Sequence, residues 1–186
     1  MTERFDQLSL ITPRLLLRPM HEADAPALFA MFSDPLVTRY WSSLPWTSID
    51  AAHAMIERDR KAMAEGEQLR LALERRDDGA FIGICTLFAF SMQCRRAEVG
   101  YGLVSQAWGR AYMDEALRAL LGHGFTALQL NRIEADIDPR NVASARSLER
   151  LGFQREGLLR ERWIVGGAVS DTALYGLLRS DWHFRQ

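Results

Sequence analysis

A short glycine-containing segment between a strand-like and a helix-like stretch carries the clearest chemical signal in this chain. Residues 106–111 read Gln-Ala-Trp-Gly-Arg-Ala, and from Met113 onward apolar residues recur at the spacing of one helical face. The first N–H groups of a helix lack partners within it and lie at the positive end of its dipole, so they suit phosphate oxygens. Gly109 has no side chain to keep a ligand from those groups. The segment predicts an anion site, although a plain turn would need the same glycine.

The inventory of reactive residues argues against two other kinds of site. Lys61 is the only lysine. A nucleotide-binding P-loop needs a lysine directly after its glycine-rich turn, where this chain has Arg110. The two cysteines, Cys85 and Cys94, lack metal-ligand spacing, and the four histidines are scattered. We therefore predict neither a P-loop nor a metal site.

The overall composition is that of an ordinary globular domain. The chain has 186 residues, 48% of them hydrophobic and 25% charged, with a net charge of -1. That charge offers no basic face to nucleic acid or anionic lipid. No apolar run reaches the roughly 20 residues of a membrane span, and residues 1–7 are too polar for a signal peptide. We predict one domain over residues 1–186, cytoplasmic, without nucleic acid or membrane partners.

The N-terminal half shows two helical patterns and a run of strands. A turn signal, Asp77-Asp78-Gly79, separates two runs that alternate or are fully apolar, so these predict an antiparallel hairpin. A third run follows a polar loop and extends the hairpin to a meander. The predicted strands are 11–20, 68–74, 80–90 and 98–104, and the predicted helices are 22–32 and 49–66.

The C-terminal half predicts a crossover and a final hairpin. A helix beginning near Gly109 connects strand 98–104 to strand 131–138, so these two strands should be parallel with a right-handed connection. A short helix over 142–151 and two strands, 153–164 and 169–178, complete the pattern. The fold class is therefore α/β in the broad sense (α+β), with a mixed, mostly antiparallel sheet of about seven strands and flanking helices.

Three large aromatic residues lie in one connection between the first two helices. Tyr40, Trp41 and Trp46 could form the wall of a binding site, or they could fold under the loop and cover the core. The pattern leaves both interpretations open.

Two motifs in these positions resemble those of the GNAT superfamily of N-acetyltransferases. The first, Gln106-x-x-Gly109-x-Ala111, fits the acetyl-CoA loop of that superfamily, and the second comprises Asn141-x-x-Ser144 and Leu148-Glu-Arg-Leu-Gly-Phe153. Three further segments look like the RimJ/RimL group of ribosomal-protein N-terminal acetyltransferases: residues 12–18, 99–101 and 157–171. The resemblance spans about residues 10 to 180 and implies the GNAT fold, in which the parallel strands splay apart.

The resemblance implies acetyl-CoA as co-substrate, held without lysine or metal. Its pyrophosphate would lie on the backbone N–H groups of the loop, and its pantetheine arm along the edge of strand 98–104. Asn141 would contact the cofactor from the far side. The implied cofactor-binding residues are Leu103, Val104, Trp108, Gly109, Arg110, Ala111, Tyr112 and Asn141.

The implied reaction is attack of an amine on a thioester, which needs a neutral amine, a stabilised oxyanion and a reprotonated thiolate. A strand N–H near Leu103 or Val104 would serve the oxyanion. We expect Glu98 to be the general base, because it shares a strand face with two glycines that leave it open space. Glu134 and Asp136 are alternatives for that role or for attracting a cationic amine.

A tyrosine that many members place seven residues after the asparagine is replaced here by Leu148. Ser144 matches the serine that the RimJ/RimL group places three residues after the asparagine, so it is the candidate acid for the thiolate, with helix capping and protonation by water as alternatives. Tyr40, Trp41, Trp46 and Trp163 are the candidate acceptor-binding residues.

The resemblance implies transfer of acetyl to a primary amine, either a protein N-terminus or a small molecule. Two other functions stay open: an acyl-CoA sensor without turnover, for which the missing tyrosine speaks, and a domain that binds neither compound. A homodimer is also left open.

Overall fold

The computed structural model describes residues 4–182, which form one eight-stranded sheet with helices on both faces. The strands are β1 (Leu10–Ile11), β2 (Leu15–Arg18), β3 (Leu69–Arg75), β4 (Phe81–Ser91), β5 (Arg96–Leu103), β6 (Arg132–Ile137), β7 (Gln154–Val165) and β8 (Ala168–Leu178). The helices are α1 (Ala25–Ser33), α2 (Pro35–Thr38), α3 (Asp50–Glu65), α4 (Tyr112–Thr126) and α5 (Val142–Arg150). No helix among residues 4–182 is long and apolar enough to span a membrane.

The strands lie in the order β1-β2-β3-β4-β5-β6-β8-β7, and every neighbouring pair except one is antiparallel. The mixed, mostly antiparallel sheet, its meander and its parallel pair β5–β6 are confirmed. The sheet has one strand more than predicted, because the expected strand 11–20 is two strands. Pro13 lacks an N–H for a ladder bond, and the Thr12 N–H donates to the Leu15 carbonyl at 2.9 Å, so the chain turns there.

The parallel pair is short, and this opens the sheet. Only three residue pairs of β5 and β6 are in register, and the last is Glu98 with Glu134. Beyond that point β5 continues along β4 to Leu103, while β6 continues along β8 to Ile137. The two strands therefore part directly after Glu98, which confirms the expected splay.

Each face of the sheet carries its own core. On one face α4 and α5 cover β2 to β6 and β8, with Leu120, Phe125 and Leu148 fully buried. On the other face α1 and α3 pack over Ala72 and Ile84. Burial of this much apolar side chain on both sides is the main stabilising contribution, and it holds the diverging ends of β5 and β6 in place.

Candidate active site

The loop before α4 is held in left-handed backbone conformation at two positions. Gly109 has φ 74° and Ala111 has φ 58°. A Cβ added at Gly109 would meet no atom within 4 Å, so the space over the loop is open. Helix α4 begins at Tyr112, and its first N–H groups, which lack partners within the helix, follow directly. The loop thus has the form of an anion site.

The two acidic residues in the first turn of α4 are bound to other parts of the protein. Glu115 accepts hydrogen bonds from the Thr12 hydroxyl at 2.6 Å and from the Arg14 backbone and side chain at 2.8 and 2.6 Å. Asp114 accepts from Arg118 at 2.9 Å. Because basic groups bind both carboxylates, their charge is partly neutralised where an anion would bind.

Arg14 also contacts the loop itself. Its guanidinium donates to the Arg110 carbonyl at 3.0 Å and lies 4.6 Å from the centre of the Tyr112 ring. The loop is therefore fixed from outside by the turn between β1 and β2, a contact that sequence reasoning did not anticipate. The available signal was the position of Arg14 within segment 12–18, which carries part of the family resemblance.

The open edge of β5 presents alternate backbone groups. We expected the N–H of Leu103 or Val104 to bind the oxyanion. The Val104 N–H donates to the Ile82 carbonyl at 2.9 Å, so it is already engaged. Successive residues of a strand direct their N–H and C=O groups to opposite edges, so the N–H groups of Tyr101 and Leu103 face the splay. The Leu103 carbonyl already accepts the indole N–H of Trp108 at 3.0 Å.

Asn141 and Ser144 lie on the other side of the splay, at the start of α5. Asn141 caps the helix, because its side-chain oxygen accepts the Ser144 N–H at 3.1 Å. The Ser144 hydroxyl therefore does not cap the helix. It lies 2.7 Å from the hydroxyl of Tyr101, which reaches across from β5.

A cleft of about 730 Å³ begins at the splay and extends over the face opposite α4. Most of the predicted catalytic and acceptor-binding residues line this one cleft. They are Tyr40, Trp41, Glu98, Ser144 and Trp163, together with Asn141 from the cofactor set. The loop residues 108–112 lie at the far end of β5 and are not part of its lining.

Glu98 faces the cleft with a carboxyl that is hard to ionise. Burial raises its pKa above the usual value, and the carboxylates of Asp136 and Glu134 raise it further, while Arg96 and Arg162 act in the opposite direction. A carboxyl with a raised pKa binds a proton from an ammonium group more readily than an ordinary glutamate does.

The three carboxylates differ in their partners. Glu134 is bound by Arg96 at 2.6 Å and by Arg132 at 2.7 Å, so its charge is neutralised. Asp136 lines the cleft, and its pKa is raised by burial, with Arg162 opposing. Of the two alternatives to Glu98, only Asp136 therefore remains available to an amine.

The two glycines that share a strand face with Glu98 do not leave empty space. A Cβ at Gly100 would lie 3.2 Å from Thr86, and one at Gly102 only 2.7 Å from the ring of Trp41. The expectation of open space is therefore wrong at these positions. The glycines instead let neighbouring side chains, Trp41 above all, approach the strand.

The aromatic residues have two different roles. Trp41 and Tyr40 line the cleft, and Trp163 lies opposite with its indole N–H donating to Thr172 at 3.0 Å. Trp46 is not part of the lining, because it stacks on Phe32 at 4.4 Å and covers the smaller core. Trp41 also packs on that core, with its ring 4.8 Å from that of Phe32, so both tryptophans cover the core, and the role of the loop as a binding wall stays a prediction.

Sequence reasoning also named none of the four arginines that line the cleft, which are Arg39, Arg70, Arg140 and Arg162. Arg39 lies 5.2 Å from the centre of the Tyr40 ring, and Arg162 lies 5.6 Å from that of Trp163. No sequence signal distinguished them, since arginine supplies nearly all the basic residues of this chain.

Comparison with known proteins adds an independent line of information. The sequence profile of the acetyltransferase (GNAT) domain matches residues 14–154. An uncharacterised N-acetyltransferase, p20, of Bacillus licheniformis is 37% identical over 174 residues, which cover 94% of this chain and 98% of that protein. The ribosomal protein uS5-alanine N-acetyltransferase of Escherichia coli K12 is 27% identical over 188 residues, which cover 95% of this chain and 93% of that enzyme.

The solved structures include a close match to the whole fold. RimJ of Mycobacterium smegmatis, in complex with CoA-disulfide, has a TM-score of 0.82 at 28% identity, covering 92% of this chain and 84% of that one.

Among residues 4–182 there is no group of three or more side chains suited to hold a metal ion.

Proposed function

Because the chain belongs to the GNAT acetyltransferase family, we propose that it transfers the acetyl group of acetyl-CoA directly to a primary amine in a ternary complex. The observation that carries this proposal is the position of Glu98. Its carboxyl faces the cleft at the last registered pair of β5 and β6, where the sheet opens. An amine in the cleft and a thioester in the opening would meet there.

In this proposal acetyl-CoA lies along the open edge of β5, with its pyrophosphate on the loop before α4. The backbone N–H groups of residues 108–112 would bind the phosphate oxygens, and Arg110 would lie near them. The oxyanion would accept a hydrogen bond from the backbone N–H of Leu103 or Tyr101, since the Val104 N–H is engaged. Asn141 would donate its free amide N–H to the cofactor from α5. No metal takes part.

Glu98 is proposed as the general base. Amines are protonated in neutral water, so a base must remove a proton before or during attack. Because the pKa of Glu98 is raised, it differs less from the pKa of the ammonium group, and proton transfer to Glu98 is less unfavourable. Asp136 would help to bind the cationic form of the acceptor before it loses its proton.

The acceptor is either a protein N-terminus or a small amine. One similar protein is named as a ribosomal protein uS5-alanine N-acetyltransferase, which supports the N-terminus. The aromatic walls formed by Tyr40, Trp41 and Trp163 would pack against the aliphatic part of either acceptor. The proposal treats the chain as a single domain, and sedimentation velocity tests whether two copies form a homodimer.

CoA release across a panel of amines tests the proposal. Peptides with different N-termini, amino acids and polyamines would be offered with acetyl-CoA. The Glu98→Gln variant should lose about 100-fold or more in kcat/KM, as expected for a general base. The exposed Glu57→Gln variant is the matched control and should keep the wild-type rate. Absence of CoA release from wild-type protein with every amine would refute the proposal.

The alternative of an acyl-CoA sensor has one observation in its favour. Leu148, at the position of the usual tyrosine, is fully buried in the larger core and cannot act on a ligand. Calorimetry that finds CoA binding, together with no turnover across the panel, would favour the sensor.

A further inference from the structure

A tyrosine and a serine meet across the opening between β5 and β6. Tyr101 lies on β5 and Ser144 on α5, and their hydroxyl oxygens are 2.7 Å apart. Both residues line the cleft at the splay. The contact joins the two sides of the opening at the level where a thioester on β5 would lie.

Either hydroxyl of this pair can donate the hydrogen bond. Among residues 4–182, the Tyr101 hydroxyl is the only side-chain group that contacts the Ser144 hydroxyl, and the other acceptor near Tyr101 is the Ser144 carbonyl at a long 3.5 Å. In one of the two arrangements the phenol O–H donates to the serine oxygen. The serine O–H is then left to donate to a third group, and the cleft is where such a group can come from.

The phenol keeps its proton under working conditions. Burial raises the pKa of Tyr101 to about 12, and nearby Tyr175 of β8 also raises it, while the Ser144 hydrogen bond and Arg150 of α5 lower it. The Tyr101 hydroxyl thus stays protonated and able to donate a hydrogen bond at neutral pH. A phenol with such a pKa is a poor source of protons for a thiolate, whose pKa is about 8.5 by comparison with cysteine.

We propose that Tyr101 is a positioning residue that fixes the Ser144 hydroxyl as a hydrogen-bond donor to the leaving sulfur. This inference rests on the proposed acetyl transfer. By donating to the serine oxygen, Tyr101 orients the serine O–H toward the opening and polarises it. Ser144 then contacts the reacting sulfur, whereas Tyr101 acts through Ser144.

The reaction balances without proton loss from either residue. The amine nitrogen forms the new C–N bond, and the C–S bond breaks with its electron pair going to sulfur. The nitrogen gives its proton to Glu98, and the thiolate takes a proton from water after the serine hydrogen bond has stabilised its charge. Hydrogen bonds to charged groups are the strong ones, so the transition state gains more from Ser144 than the neutral thioester does.

Steady-state kinetics of Tyr101→Phe test this inference, because the ring stays and only the hydroxyl is lost. We expect kcat to fall about 10-fold while KM for acetyl-CoA and Kd for CoA stay within about twofold. Thr126→Val removes an exposed hydroxyl at the C-terminal end of α4 and should keep the wild-type kcat. Thermal melting checks that all variants fold. A kcat of Tyr101→Phe close to that of wild type would overturn the inference.

A double-mutant cycle separates positioning from an independent role. If Tyr101 acts through Ser144, the variant carrying both Tyr101→Phe and Ser144→Ala should have the same kcat as Ser144→Ala alone. Losses that multiply would overturn the inference. So would an alkaline limb in the wild-type pH profile that Tyr101→Phe removes, because Tyr101 would then release its proton.

Failure of this inference and failure of the proposed function are distinguishable. A wild-type protein that acetylates amines, but whose rate ignores Tyr101, refutes only the positioning role. A wild-type protein that turns over no amine refutes the function itself, and CoA binding alone then says nothing for Tyr101.

Discussion

Glu98 and Asp136 are two carboxyls in one cleft without a hydrogen-bonded arginine, and each has a raised pKa. Part of the shift at Glu98 comes from the negative charge of Asp136. Like charges that share a site oppose each other's ionisation, so the state of one residue tunes the other. Removal of one of the two carboxylates therefore tests their electrostatic interaction directly.

We predict that Asp136→Asn lowers the pKa of Glu98. Loss of the neighbouring anion makes it easier to ionise Glu98, so the acid limb of kcat/KM against pH should move to lower pH. The exposed Asp50→Asn variant should leave the limb unchanged. The measurement is the pH dependence of CoA release for the three proteins. A limb that stays in place or moves to higher pH would show that Glu98 is not the titrating base, or that Asp136 does not act on it.

At the scale of single elements, the loop before α4 combines two left-handed residues of different type. Gly109 adopts φ 74° without strain, whereas Ala111 carries a Cβ at φ 58°. Left-handed backbone costs an ordinary residue about 1–2 kcal/mol. The methyl group of Ala111 is therefore tolerated at a conformational cost.

We predict that substitution at these two positions changes the free energy of unfolding by different amounts. Ala111→Gly relieves the backbone strain but increases the entropy of the unfolded chain, so the free energy of unfolding should change by less than about 1 kcal/mol. Gly109→Ala introduces strain with no relief and should cost about 1–2 kcal/mol, although no atom stands within 4 Å of the new methyl group. Urea denaturation measures both. Equal destabilisation by the two changes would contradict the backbone argument.

The turn between β1 and β2 supports the same loop through Arg14. We predict that Arg14→Met weakens CoA binding by about 5- to 10-fold, because the Arg110 carbonyl, the Glu115 carboxylate and the Tyr112 ring all lose their contact with the guanidinium. The free energy of unfolding should fall by less than about 1 kcal/mol, as for other partly exposed ion pairs.

Calorimetry with CoA and urea denaturation give the two numbers for Arg14→Met. Arg58→Met, at an exposed position of α3 on the other face of the sheet, is the matched control. A loss of stability as large as the loss of binding energy would mean that Arg14 supports the fold as a whole and has no special role in the loop.

At the scale of the whole molecule, the sheet is closed on most of its width and open at one place. Six of the seven neighbouring strand pairs are antiparallel ladders, whereas the parallel pair of β5 and β6 shares only three registered residue pairs. A ligand along the open edge would supply hydrogen bonds that the missing pairs leave unmade, so binding should be visible at individual amides.

We predict that CoA slows hydrogen exchange at the Tyr101 and Leu103 amides, which face the splay, by about tenfold or more. The Val104 amide is already bonded to the Ile82 carbonyl and should be protected with or without CoA. Exchange measured by NMR with and without CoA distinguishes the three sites. Protection that rises equally at Val104, or only outside β5, would show that CoA binds elsewhere.

The sequence determined most of the local structure and the family. Period-two and helical patterns located nearly all strands and helices, because each reports which face of a short segment is buried. The glycine of the loop and the Asn141–Ser144 spacing carried the resemblance to the GNAT superfamily, and that resemblance implied acetyl-CoA. Such motifs are recognisable because close backbone approach and helix capping constrain residue type at single positions.

Only the tertiary structure decided which of these residues can work together. Arg96 neutralises Glu134 from 38 residues away, which leaves Glu98 and Asp136 as cleft carboxylates without a hydrogen-bonded arginine, and Tyr101 meets Ser144 across 43 residues. Trp46 covers the core while Trp41, close by in the same loop, reaches the strand beside Gly102. Such partners depend on strand order and on where β5 and β6 part, and a local pattern carries no information about contacts between distant segments.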